Sequence, residues 1–232
     1  KGILLWPEGF SLASYQAVFK NTFLWTGYAN TLFIVIVGTV LNVLLSMVAA
    51  YCLSRKHVAA GPTIMKLLVF TMYFSGGMIP LYLVVKGVGL YGSRWALILP
   101  TLVDTYNLII MRTAFAGVPD SLEESAKLDG ANDLKVMWVI YMPLALPVIA
   151  TVTLYFIVGF WNQWSASVLY FDSMHRDMMP IGVILREYIQ NNSQASGSGG
   201  TTTLPVSMKM ATVVVATLPI VCTYPFLQKF FI

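Results

Sequence analysis

Charge is what this chain has least of. Only 10% of its 232 residues are Asp, Glu, Lys or Arg, against about 25% in soluble domains, which excludes a body wrapped in a charged, water-facing shell. A 57% apolar content and a mean hydropathy of +0.73 fit a protein solvated by lipid. Cysteine is almost missing: Cys52 and Cys222 lie in apolar runs without metal or disulfide spacing and read as small packing residues. The two histidines, His57 and His175, have no carboxylate or thiol at ligand spacing, and His57 reads as a membrane-edge marker beside Arg55 and Lys56. No G-x-x-x-x-G-K-[ST] phosphate loop, H-E-x-x-H or G-x-S-x-G occurs, so neither an ATP site nor a hydrolase reading has support. The net charge of +4 is small and spread along the chain, which argues against a nucleic-acid surface. No signal-peptide pattern is present; the sequence begins at Lys1 and stops inside an apolar run at Ile232, so further chain is expected at both ends.

Five long apolar runs are present, and they predict an all-α, polytopic membrane helix bundle. Residues 1–20 are mixed and turn-rich, with Trp6, Pro7, Phe10, Tyr15 and Phe19 as interfacial anchors. The first span, 23–53, exceeds the roughly 20 residues a bilayer needs and must tilt or project. Within it Ser46 and Ala50 form a small-xxx-small pair suited to close packing. The second, 65–85, is interrupted by Ser75, Gly76, Gly77 and Pro80, breaks tolerated only beside protein or water, so it is expected to face the bundle interior. The third, 95–112, carries Pro100, Asp104 and Asn107; an ionisable Asp104 at that depth is either functional or satisfied by an interface or partner helix.

The fourth span, 138–161, has Pro143 and Pro147 near its start, where kinks are expected. Beyond it, Asn162 and Gln163 sit between Trp161 and Trp164, as an aromatic belt or as a ligand platform. Residues 176–189 predict a short amphipathic helix, 191–203 a polar loop, and 207–232 a last span containing Pro219 and Pro225.

Between the third and fourth spans the chain turns densely charged, over EESAKLDGANDLKVMWVIYMPLALP, residues 123–147. Pro119 suits a first helical turn, and Asp120 with Glu123 and Ser121 with Glu124 have capping-box spacing. Leu122, Ser125, Ala126 and Asp129 share one face, small and shallow, while Glu123 and Lys127 can pair across a turn. Gly130 can end this helix in the left-handed conformation, and Asn132 can cap a second helix with Leu134, Met137, Trp138 and Tyr141 as its apolar stripe. The corner is built rather than floppy.

Glu124, Ser125, Ala126, Gly130, Ile140, Met142 and Pro143 together resemble the signature loop of binding-protein-dependent ABC importer permeases, with Ser125 in place of Ala and Met142 in place of Leu. Leu128, Asp129, Gly130, Ala131 and Pro147 are similar to the carbohydrate branch, the relatives of the maltose permease subunits. The resemblance implies a bacterial inner-membrane, multi-pass permease with a sixth span before Lys1, segments 1–20 and 162–206 outside, and 116–137 as a cytoplasmic coupling loop. It implies alternating access, with a second homologous permease subunit, two nucleotide-binding ATPase subunits and an external solute-binding protein as partners. ATP and Mg²⁺ would belong to the ATPase, and this chain would hold no cofactor. The coupling residues it implies are Glu123, Glu124, Ser125, Ala126, Leu128, Asp129, Gly130, Ala131, Ile140 and Pro143, with Glu124 meeting a basic group of the ATPase.

Charge bias does not orient the chain: a cytoplasmic loop would put Arg55, Lys56, Lys66, Arg112, Lys127, Lys135 and Lys229 inside, and Lys1, Lys20, Lys86, Arg94, Arg176, Arg186 and Lys209 outside. For a carbohydrate path, Tyr73, Asp104, Tyr106, Asn107, Tyr155, Trp161 and Asn162 offer polar groups and ring faces, although aromatic residues in spans more often pack than bind. Two rival readings are an ion-coupled transporter or channel using Asp104 and Arg112, and a scaffold that recruits a partner through the corner without moving solute.

Overall fold

A computed structural model describes residues 12–20, 22–56, 58–187, 210–219 and 221–222, and all regular structure among them is helical. The chain is built around one uninterrupted element. After a short helix α1 (Ala13–Phe19), α2 (Thr22–Ser54) runs for 33 residues, about 50 Å, because nothing in that apolar stretch breaks a backbone ladder. Among the described residues it is the single helix long and apolar enough by itself to cross a membrane. It packs chiefly on α6 (Thr105–Ala116) and α10 (Leu146–Trp161). Ser46 and Ala50 are fully buried, as their small-residue spacing predicts, and Thr39 and Asn42 extend that inner face.

The second run is not one span-length helix. It divides into α3 (Gly61–Tyr73) and α4 (Met78–Gly87), bent by 114° where Gly77 takes φ +88°. Its ends face the interior of this chain, with Val85 buried and Met65, Leu68 and Tyr82 packed against the core, but its middle does not: every residue from 70 to 81 is exposed. The third run is also interrupted, into α5 (Trp95–Ile98), a 3₁₀ turn (Leu99–Thr101) and then α6. Pro100 can make no helical N–H bond, and Asp104 restarts the helix by accepting a hydrogen bond from Asn107 N at 2.8 Å. In the fourth run α8 (Asp133–Val136), a π-helical turn (Met137–Tyr141) and α9 (Met142–Leu144) meet α10 at an 86° bend, on Ala145 between the two prolines. Thus the kink expected near Pro143 and Pro147 is present.

After α10 come α11 (Trp164–Tyr170) and a 3₁₀ segment (Ser173–Met178). The amphipathic helix expected over 176–189 begins only at residue 181, after Pro180, and is described to 187. This region is sewn to the first half of α2: Asn30 Nδ2 donates to Asp177 O at 2.7 Å and Met179 O at 3.1 Å, and Thr31 Oγ1 accepts from Ile181 N at 2.9 Å. His175 does have a carboxylate partner, Asp172 Oδ1 at 2.7 Å from Nδ1, a correction to the sequence reading. That hydrogen bond holds the Asp172 carboxyl below the usual carboxylate range. Gly92, with φ +73°, lies beneath the His175 ring, where a Cβ would come within 2.5 Å of it.

A helix over Met210–Pro219 closes on α1 and α2 through Val18, Leu24, Ile181, Ala211 and Ala216. The expectations for residues 1–11, His57, 191–203 and most of 207–232 lie outside the described residues.

Candidate functional site

The charged corner is α7 (Asp120–Leu128), Gly130 and α8. It begins differently from the capping-box expectation. Pro119 occupies the N-cap position and no side chain caps the helix, because Asp120 and Glu123 are engaged elsewhere. Glu123 is turned inward and pairs with Arg55, just past the end of α2; the two side chains are only 9% and 7% exposed. The guanidinium lies between the rings of Tyr51 and Tyr141, 4.3 and 4.2 Å from their centroids, and donates to the Tyr141 hydroxyl at 2.6 Å. A buried charge is tolerated only with such a partner set.

Outside this core, Lys127 Nζ bridges Glu123 at 2.8 Å and Asp133 at 3.2 Å, confirming the pair expected across one turn, and Lys56 Nζ meets Asp120 at 2.6 Å. The hydrogen bonds from Lys56 and Lys127 hold Asp120 and Asp133 below the usual carboxylate range. Depressed carboxylates contribute stability that is present above their ordinary values and lost as pH falls through the lower folded ones, so these outer pairs persist through neutral pH.

Gly130 adopts φ +77°, and Asn132 Oδ1 accepts from Lys135 N at 2.8 Å, as the sequence predicts for both. Of the stripe expected on the second helix, Met137 and Tyr141 are buried, while Leu134 and Trp138 are exposed. Ala126, Ala131 and Ile140 pack partly against the core, and Pro143 is exposed. Glu124, Ser125, Asp129 and the 90%-exposed Leu128 face outward. Glu124 forms no ion pair among the described residues, and it lines a charged groove of about 260 Å³ with Arg55, Lys56, Asp120, Glu123 and Lys127.

The residues proposed for a solute path divide. Asp104, Asn107 and Tyr155 come together in a cavity of about 330 Å³ between α6 and α10, walled also by Thr101, Phe160 and Gln163. Tyr73, 76% exposed on the α3–α4 bend, and Tyr106, exposed on α6, do not line it. Trp161 packs partly against the core, and Asn162 donates back to Val158 O at 2.9 Å. Gln163, which the sequence places between two tryptophans, is the wall residue its pattern did not single out; its Nε2 donates to Leu97 O at 3.1 Å. Asp104 is both an N-cap and a wall residue, so the two readings of it coexist. Asn107 Oδ1 and Gln163 Oε1 are buried acceptors without a hydrogen-bond partner among the described residues.

Phe160 closes the cavity because Gly38 of α2 lets its ring approach; a Cβ on Gly38 would stand 2.6 Å from that ring. Gly38→Ala is therefore expected to push Phe160 into the cavity at a cost of about 1–3 kcal/mol, measurable as a lower melting temperature of the purified protein together with slower solute uptake.

A helix bundle with broken helices, a cavity between α6 and α10 and a charged corner at the end of α2 is the arrangement of a membrane transport protein. Residues 32–232 match the family model described as "Binding-protein-dependent transport system inner membrane component", and the chain belongs to that family. Over its whole length it is 42% identical to the polygalacturonan/rhamnogalacturonan transport system permease protein YtcP of Bacillus subtilis (strain 168), covering 82% of that protein. It is 39% identical to protein LplC of the same organism, covering 79% of it. The crystal structure of a bacterial ABC transporter involved in import of the acidic polysaccharide alginate superposes with a TM-score of 0.89 at 30% identity, covering all of this chain and 84% of the other.

Proposed function

We propose that this chain forms half of the translocation path of an ATP-driven carbohydrate importer and that α7 is its cytoplasmic coupling helix. The observation that carries this is the division of labour in α7: Glu123 fastens it to α2 through a buried ion pair, while Glu124, Ser125 and Leu128 on its outer side remain unengaged. An exposed helix firmly tied to a spanning helix can accept movement from a nucleotide-binding subunit and pass it on. Each bent helix pair counts as one span in this reading, giving five with α2, the interrupted α5–α6 run and the last helix.

The second permease subunit is supported by the exposed strip 70–81. Irregular backbone at membrane depth cannot face lipid and needs protein or a water-filled path against it, and the described residues of this chain leave the Phe74–Gly77 break uncovered. The ion-coupled alternative has less behind it, since both of its residues do structural work: Asp104 caps α6, and Arg112 Nε donates to Leu53 O at 3.1 Å.

The solute is proposed to be an acidic carbohydrate oligomer, since the relatives named above are described by polygalacturonan and by an acidic polysaccharide. The cavity's orphan acceptors, Asn107 Oδ1 and Gln163 Oε1, complement sugar hydroxyl donors. A photo-reactive residue at Leu128, in the assembled importer, tests the coupling role. An adduct with the nucleotide-binding subunit is expected; an adduct confined to lipid or to an external protein would overturn it.

A further inference from the structure

A second cavity, of about 470 Å³, lies apart from the path and belongs to no part of the reading above. Its walls are α11, the 3₁₀ segment and residues 181–187, and they include Trp164, Phe171, Ser173, Arg176, Arg186 and Glu187. The same walls hang on Asn30 and Thr31 of α2. Asn30 stands some 25 residues, about 37 Å, along the helix from Arg55 at the corner, more than a hydrocarbon core's thickness. With the corner on the ATPase side, this cavity opens on the side from which solute arrives.

Its charges are unevenly satisfied. Arg176 pairs with Glu187 at 2.7 Å, and its guanidinium lies over Phe23. Asp172 is held by His175 and by the N–H of Met174 at 3.0 Å. Arg186 is the remaining charge: its guanidinium lies 3.9 Å over the centre of the Trp164 ring and forms no ion pair among the described residues. Stacking holds the guanidinium plane, and among the described residues nothing pairs with its N–H edge, the geometry that receives a carboxylate bidentately. The platform is itself fixed, for Trp164 stands against Gly182, where a Cβ would come within 3.2 Å of it. Phe171, Met179 and Val183 supply an apolar wall, suited to the C–H face of a sugar ring.

We infer that Arg186 on Trp164 forms an entry station that binds the carboxylate of a uronic-acid residue and selects acidic over neutral oligosaccharides. This rests on the acidic-carbohydrate reading and adds the residues that discriminate.

The test is uptake of trigalacturonate and of its fully methyl-esterified, uncharged form by the complete importer in proteoliposomes, for the wild-type chain, Arg186→Gln, Arg186→Lys and Ser173→Asp. In the wild type the acid is preferred. Arg186→Gln is expected to lower the acid-to-ester uptake ratio by at least about tenfold, the scale of one charge-assisted hydrogen-bonded contact. Arg186→Lys is expected to retain part of the preference, and Ser173→Asp, at an exposed wall position, to lower it by repulsion. If the wild type prefers the acid and the ratio stays unchanged in both Arg186→Gln and Ser173→Asp, the station is overturned while the carbohydrate reading stands. If the wild type prefers the ester, the acidic reading falls and takes the station with it.

Discussion

Replacing Arg55 by Met should be among the most damaging single changes in the protein. It leaves Glu123 buried beneath α7 with Tyr141 and the half-exposed Lys127 as its remaining partners. Breaking a buried pair from one side costs about 3–5 kcal/mol, and the surviving Lys127 contact places the expectation at the lower end of that range. The double variant Arg55→Met with Glu123→Leu removes both charges and should recover most of the loss, since an apolar replacement of a buried pair is often neutral. Thermal melting of the four proteins of this cycle measures the coupling. A single Arg55→Met variant that melts with the wild type would show that the pair does not hold the corner.

The second large effect concerns coupling rather than stability. Glu124→Lys reverses the charge of a residue with no ion pair among the described residues, and Gly130→Asp places a side chain where φ is +77° but open space surrounds the Cβ position. Both should still fold and insert, because neither touches the Arg55–Glu123 anchor, with Gly130→Asp carrying about 1–2 kcal/mol of backbone strain. Solute uptake is expected to fall at least about tenfold, on the scale of a reversed charge in an interface, while the ATPase subunits continue to hydrolyse nucleotide. Wild-type uptake in both variants would remove the coupling role from α7.

The parts legible in the sequence were those settled within one or two turns of chain. The left-handed Gly130, the Asn132 cap, the Glu123–Lys127 pair and the bend between Pro143 and Pro147 each depend on neighbours close by, and the family match rests on the same local spacing. What the sequence concealed was long-range. Arg55 reads as a membrane-edge charge, and only the packing of α2 against the fourth run shows it clasped by Tyr51, Tyr141 and Glu123. That distant partner also explains why the Asp120–Glu123 capping box did not form: Glu123 is drawn to Arg55 and Asp120 to Lys56. The 70–81 strip misled for a different reason. Its glycines and proline announce a break that lipid cannot solvate, but not whether this chain or another covers it.

The cavity between α6 and α10 shows the same limit. Asp104 and Asn107 sit together on α6 and were singled out together, whereas Gln163 enters from beyond the end of α10. A polar residue between tryptophans was the available signal, and it pointed more to an aromatic belt at the membrane surface than to a ligand platform.

One uninterrupted helix ends at the corner and, near its other end, holds the segment that walls the Arg186 cavity. Over about 37 Å, a swing of only about 5° at the bottom displaces the top by roughly 3 Å, the width of a hydrogen bond. In the coupling role proposed for α7, a stroke at the corner would therefore reach both ends of α2 at once, and the Arg186 cavity would move with it.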